Sequence, residues 1–412
     1  MKIILLFPLA FILTSVNSCH KNELNHGENK VIRLDEKSAR LVEADNTFGV
    51  ELFQKIREES SEENLMVSPL SISIALAMAY NGADGATKTE MENVLKLNGL
   101  SADNINASYK MFIRALQSLD EEVALEIANA IFYAEGFSVK KSFVSVNEAT
   151  YGAEISELNF GSPTAVESIN NWVAEKTHDK IQTIIDQLNP MDRMVLLNAV
   201  YFYGTWTNKF DEQGTHNLPF HKTDGTTKQV PMMSKLENLP YTSNNLFSAI
   251  KMPYGNGQYN MVVLLPALEN NSQDVIDELS SANWESWMKN FEMTERVRVT
   301  MPRFKYAFKT ELNKVLQIMG MQNAFNPDAA DFSGITDDEL FISSAIHKSY
   351  IDVNETGTEA AAVTGMTFST TSMGTEPPTV PFYVNKPFVY AIIEKDTGAI
   401  LFIGEVKNPE YN

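Results

Sequence analysis

From Asp45 to Pro409 the chain contains no glycine/serine-rich or proline-rich stretch at which one folding unit could end and another begin, and no fixed-period repeat. Linkers and repeats are what divide long chains, so their absence predicts one unusually large domain. With 44% hydrophobic and 21% charged residues, the 412-residue chain has enough apolar side chain to fill such a core. That core must hold without a disulfide, because Cys19 is the only cysteine.

The N-terminus carries Lys2, an apolar run from Ile3 to Val16 broken by Pro8, and then Asn17, Ser18 and Cys19. One lysine, a short apolar run and small residues at a processing site describe an export signal, too short to span a bilayer as a mature helix. Val16-Asn17-Ser18-Cys19 resembles a bacterial lipobox, although Asn17 is not the usual small residue there. The resemblance implies acylation of the Cys19 thiol, which then becomes the mature N-terminus. Two or more acyl chains hold a protein firmly on a membrane where one does not. The expected organisation is an export signal at 1–18, a lipidated N-terminus and polar tether at 19–40, and a single domain at 41–412. The expected location is the cell envelope or cell surface as a lipoprotein, otherwise secreted, with contact to the membrane through the lipid anchor only.

The 53 acidic side chains against 33 basic ones give a net charge of −20, which repels phosphate backbones. Nucleic-acid partners are excluded. No GxxxxGK, GxGxxG, GxSxG or HExxH motif is present. Six histidines and one lipobox cysteine leave little for a metal cage. No cofactor, no metal and no catalytic residue is expected, and the chain is read as a non-enzyme.

The first half reads as mainly helical and the second as dominated by strands, an α+β segregation. Ser68-Pro69 ahead of Leu70, Ile72, Ile74, Ala75, Leu76 and Met78 predicts an N-capped, buried helix. Thr87 and Glu90 suggest a capping box ahead of Met91. Met194 to Tyr203 is a continuous apolar run interrupted by Asn198, as in a strand covered on both faces. Phe388–Ile393 and Ala399–Ile403, flanking Glu394-Lys395-Asp396-Thr397-Gly398, predict a terminal hairpin.

VLLNAVYFYGTWTNKF from Val195, IHKSYIDVNETGTEAAAVTG from Ile346, NLMVSPLSIS from Asn64, VTMPRFKYAF from Val299 and FYVNKPFVYAIIEKDTGAILFIGEV from Phe382 together resemble the serpin family. They occur in family order and cover essentially everything after Asp45. The resemblance implies an α+β serpin fold: three β-sheets, about nine helices and an exposed reactive-centre loop. It also implies a monomeric suicide-substrate inhibitor of serine endopeptidases, with cysteine endopeptidases as a second class open to the same trap. The alternative is a non-inhibitory serpin acting as a substrate, chaperone or cell-surface binding protein.

The family mechanism requires the cut loop to enter the central sheet as a new strand. No proline lies between Val353 and Glu376, so no ladder bond would be lost there. One parity of the segment, Thr358, Ala360, Ala362, Thr364, Met366 and Phe368, carries no charge, while Glu359 falls on the other with Ala361, Val363 and Gly365. Insertion with the first set inward therefore buries no charge. Small residues at Ala360, Ala361 and Ala362 ease threading, and Gly357 supplies a pivot.

By the family's spacing from the hinge Glu355, the reactive bond falls at Thr371-Ser372, with Met373 and Phe368 as alternatives. Those residues suit elastase-like, chymotrypsin-like or subtilisin-like proteases. Trypsin-like targets are disfavoured, since no Lys or Arg lies between Lys348 and Lys386. The resemblance also places Ser68, Ser71, Asn198 and His347 in the family's shutter, beneath the point where strands part, and Trp206 in its breach, where insertion begins.

Overall fold

The computed structural model describes residues 30–358 and 378–411. The expected signal at 1–18, Cys19, and the loop positions Glu359, Ala360, Ala361, Ala362, Thr364, Phe368, Thr371, Ser372 and Met373 lie outside the described residues.

The first half contains α1 (Glu36–Glu59), β1 (Asn64–Val67), α2 (Pro69–Tyr80), α3 (Gly85–Val94) and α4 (Ala102–Gln117). It continues through β2 (Val123–Ala134), α5 (Lys141–Tyr151), β3 (Glu154–Leu158), α6 (Pro163–Lys176) and β4 (Met194–Thr205). The second half opens with β5 (His216–His221), β6 (Thr227–Ser243), β7 (Phe247–Tyr254), β8 (Tyr259–Pro266), α7 (Ser272–Asp277) and α8 (Ser281–Lys289). Next come β9 (Glu292–Pro302), β10 (Phe304–Glu311), α9 (Asn313–Ile318), β11 (Ser344–Val353) and β12 (Gly357–Thr358). Strands β13 (Val380–Tyr383), β14 (Phe388–Glu394) and β15 (Ile400–Val406) end the fold. Helices thus concentrate before β4 and strands after it, as the sequence leads one to expect.

One sheet runs β10-β11-β12-β4-β2-β3, with β11 also pairing directly to β4. The other strands follow one hydrogen-bonded path, β1-β15-β14-β8-β7-β6-β9-β13, with β5 added on β6. The long strand β6 serves two sheets: Tyr241–Ser243 pairs with β7 and the stretch from Met232 to Tyr241 with β9. Among the described residues this gives three sheets, two of them continuous through β6 in one nine-stranded hydrogen-bonded path.

The apolar run of β4 is explained by cover on both faces. Leu196, Val200 and Phe202 join the main core. Val195, Leu197 and Ala199 pack in a second cluster with Ile169 and Val173 of α6 and with Ile181, Ile184 and Ile185. Helix α2 is buried along its whole length, and its N-cap Ser68 accepts from Ser71 N at 3.4 Å. In the terminal hairpin, the Glu394 carboxylate accepts from Asp396 N and Thr397 N, both at 2.8 Å, and Gly398 adopts φ 70°.

Two local expectations are corrected. Helix α3 starts at Gly85, where Asp84 Oδ1 accepts from Gly85 N at 2.9 Å, so Thr87 and Glu90 are not its capping box. Thr87 Oγ1 instead accepts from Asp331 N, and Glu90 Oε2 from Gln322 N and Asn323 N, which binds α3 to the segment before β11. The body also begins before residue 41. Asp35 caps α1 at Glu36, and Ile32 is 8% exposed, so residues 30–40 pack on the domain rather than trail from it.

Asp45 of α1 is buried in the main core, where its Oδ1 accepts from the Tyr109 hydroxyl of α4 at 2.6 Å. Burial pushes its pKa up to about 7, against the opposing pull of the Tyr109 hydroxyl. Because the folded value lies above the unfolded one, the stabilising contribution is full below about pH 4 and is lost as pH rises through about 7. Asp45→Asn keeps the shape and the acceptor without the charge. It should match the wild type in thermal unfolding near pH 4 and exceed it at pH 8, by on the order of 4 kcal/mol at most. Equal pH profiles would refute this.

Candidate functional site

Strands β4 and β11 run parallel and pair over Val195–Val200 and Ser344–Ser349. Beyond Ser349 they part. The gap is occupied by Gly357 and Thr358 of β12, with Gly357 opposite Thr205, and Thr358 opposite Gly204 on one side and Val353 on the other. Both pairings of β12 are antiparallel. The chain therefore turns back on itself after β11 and places two residues as a wedge at the open end of the joint.

The turn is held by a dense polar and aromatic cluster. Asn354 N donates to Gly357 O at 2.9 Å. Trp206 N donates to Thr356 O, and its indole Nε1 donates to Asn354 O, both at 2.9 Å. The indole stacks on Tyr254 at 4.3 Å and 13°. The Tyr254 and Thr358 hydroxyls share a hydrogen bond of 2.6 Å. Glu355 is buried, and its Oε1 accepts from Arg303 Nε at 2.6 Å and Nη2 at 2.5 Å and from the Thr215 hydroxyl. Lys235 lies 4.6 Å from the Phe210 ring and pairs with Glu237 at 2.8 Å, and burial holds its pKa below the usual lysine range. Gly357 must be glycine for a steric reason, because a Cβ there would collide with the Gly204 carbonyl.

Ser68, Ser71, Asn198 and His347 are brought together at the closed half of the joint, where Asn198 and His347 are register partners. His347 Nε2 accepts from Ser68 N at 3.2 Å, so the ring proton must sit on Nδ1, which donates to Asn198 Oδ1 at 2.6 Å. The Asn198 amide group donates to Ser71 O at 3.0 Å, to Asn129 Oδ1 at 2.7 Å and to the Ser71 hydroxyl. His347 is fully buried, and burial pushes its pKa down to about 3, which keeps the imidazole neutral at physiological pH. Ser349, at the last closed rung, donates to Met66 O at 2.6 Å.

The family model for serpins, described as serine protease inhibitors, matches residues 43–409. The chain belongs to the serpin family. An uncharacterized serpin-like protein of Thermococcus kodakarensis is 36% identical over 377 residues, 90% of this chain and 86% of that one. Intracellular coagulation inhibitor 2 of Tachypleus tridentatus is 33% identical over 407 residues, 97% of each chain. Among solved structures, the thermophilic serpin tengpin in its native state has a TM-score of 0.84 at 33% identity, covering 92% of this chain and 96% of that one. Human thyroxine-binding globulin complexed with thyroxine has a TM-score of 0.83 at 29% identity, covering 91% and 100%. Serpins are mostly protease inhibitors rather than catalysts. Among the described residues of this serpin, no group of three or more His, Cys, Asp or Glu could hold a metal ion.

The sequence reading missed Asn129, Tyr254, Arg303, Thr215 and Lys235. Asn129 carried a usable signal, a polar residue inside the apolar strand β2. Arg303 carried none, since an arginine between Pro302 and Phe304 is indistinguishable from a solvated strand residue.

Proposed function

We propose that this serpin is a suicide-substrate inhibitor of serine endopeptidases. The protease hydroxyl attacks the reactive carbonyl, taken as Thr371, and the Ser372 amine leaves with a proton, giving an ester to the protease. Deacylation then competes with entry of the cut loop between β4 and β11. If entry is faster, the protease is carried away with its ester intact, and the resting fold owes its persistence to kinetics.

The observation that carries this reading is the β12 wedge. Continuing its antiparallel register one residue at a time along β4 and β11 would bring Thr364 opposite Asn198 and opposite His347 at once. The Thr364 hydroxyl would then stand where the two side chains now bond each other. One added strand widens the joint by about 4.8 Å, which must break that bond, and a hydroxyl can both donate and accept in its place. The inward position of Thr358 supports the uncharged parity as the buried one.

Elastase-like, chymotrypsin-like and subtilisin-like enzymes are the proposed targets, met by a monomer exported and held by lipid at Cys19. Incubating the mature domain with such a panel, together with trypsin-like and papain-like enzymes, should give a band at the summed mass on a denaturing gel. Mass analysis of the released fragment would then identify the bait residue. Clean cleavage by every protease without that band would overturn the proposal. It would favour the second reading, a non-inhibitory carrier or binding protein, which thyroxine-binding globulin supports because that neighbour has the same fold in complex with thyroxine.

A further inference from the structure

The N-terminal segment ahead of α1 is fastened to one end of the molecule. Gln258 Nε2, on a fully buried side chain, donates to Lys30 O at 2.7 Å, and Lys30 Nζ donates to Ser118 O at 2.6 Å. Ile32 N donates to Asp396 Oδ2 at 3.1 Å, and the Ile32 side chain is buried in the main core.

Each of the first two attachments leads directly to the wedge. Ser118 precedes β2, whose first residue, Val123, is paired with Gly204, and Glu122 Oε2 accepts from the Thr205 hydroxyl at 3.1 Å. Gln258 lies in the turn that begins at Gly255, whose N donates to Thr205 O at 2.8 Å. Thr205 is the residue paired with Gly357.

We infer that the chain's N-terminal tether is attached at the loop-bearing pole, so that an anchor at Cys19 turns this pole toward the membrane. The inference rests on the proposed lipid anchor. Eleven peptide units separate Cys19 from Lys30 and reach at most about 40 Å. The twelve residues of β4 alone run about 40 Å from the wedge to the opposite pole. Presenting the opposite pole to the membrane would consume the whole tether along the flank of the body, whereas presenting the loop pole requires none of it. The proteases met most readily are then those at or near the same surface, and the tether length limits how bulky an enzyme can approach.

The single thiol makes the geometry testable whether or not cells acylate it. A maleimide lipid couples the mature chain to vesicles through Cys19, and a control, Cys19→Ser with Met191→Cys, couples through the exposed residue at the far end of β4. The readout is the rate at which soluble subtilisin cuts the loop, with covalent complex and cleaved product counted together, so a failure of inhibition does not affect it. Palmitate labelling in cells reports natural lipidation separately. Deleting residues 22–29 shortens the reach to about 11 Å and should slow cutting of the Cys19-coupled chain about tenfold or more. The Met191-coupled control and the free shortened chain should keep the rate of the free full-length protein. If the shortened Cys19-coupled chain is cut as fast as the control, the orientation is wrong.

Discussion

Replacing Thr358 by arginine should abolish trapping while leaving the loop open to cleavage. Thr358 is 1% exposed, hydrogen-bonded to Tyr254, and is the first residue of the inward set between β4 and β11. A guanidinium there must be buried without a carboxylate partner, at an effective cost of several kcal/mol. The chain avoids that cost by leaving the sheet, and the loop then enters too slowly to outrun deacylation. The band at the summed mass should disappear, and the serpin consumed per protease inactivated should rise about tenfold or more, since ~1.4 kcal/mol already shifts a ratio of rates tenfold. Thr358→Val removes only the hydroxyl and should trap nearly as well as wild type. Wild-type stoichiometry in the arginine variant would exclude insertion as the mechanism.

Asn198→Asp should be the most damaging isosteric change in the closed half of the joint. The Asn198 amide nitrogen donates to Ser71 O and Asn129 Oδ1, both acceptors, and a carboxylate oxygen in its place would meet them with a lone pair. The new carboxyl must either stay charged in the core or remain protonated, so burial raises its folded pKa above the unfolded value. Its stability deficit should therefore be small in acid and grow as pH rises toward neutrality. At pH 8 we expect thermal unfolding about 5 °C or more below wild type, with progressive loss of trapping during warm storage. At pH 5 the gap should narrow. Melting and storage behaviour equal to wild type at pH 8 would mean that this network does not hold the joint closed.

What the sequence disclosed follows a physical pattern. Asn198 and His347 were legible because a polar residue inside an apolar or alternating strand needs a buried partner, and each proved to be the other's. Ser68 was legible as a helix cap, but its backbone N–H also holds the His347 ring, which no local rule predicts. Glu355 could be assigned to the hinge only by family spacing; its buried pairing with Arg303 joins residues 52 positions apart and leaves no local trace. The Thr87/Glu90 reading failed because the spacing was right and the start was wrong: the helix is capped by Asp84, three residues before Thr87. The tether boundary failed because Ile32 and Leu34 are too few to register as a packed segment until the folded core receives both side chains and Asp396, distant in sequence, receives Ile32 N.

The direction in which β4 and β11 meet has a consequence for where the proposed driving force resides. Their six rungs form a parallel ladder, slightly weaker per residue than an antiparallel one. Both residues of β12 already pair antiparallel with β4, and Thr358 also pairs antiparallel with Val353 of β11. Completing that strand would exchange one short ladder of the weaker kind for two long ladders of the stronger kind, with the polar clamp between Asn198 and His347 given up on the way. On the proposed mechanism the resting molecule is a zip closed on its poorer teeth, and the cut loop would be the slider that reseats it.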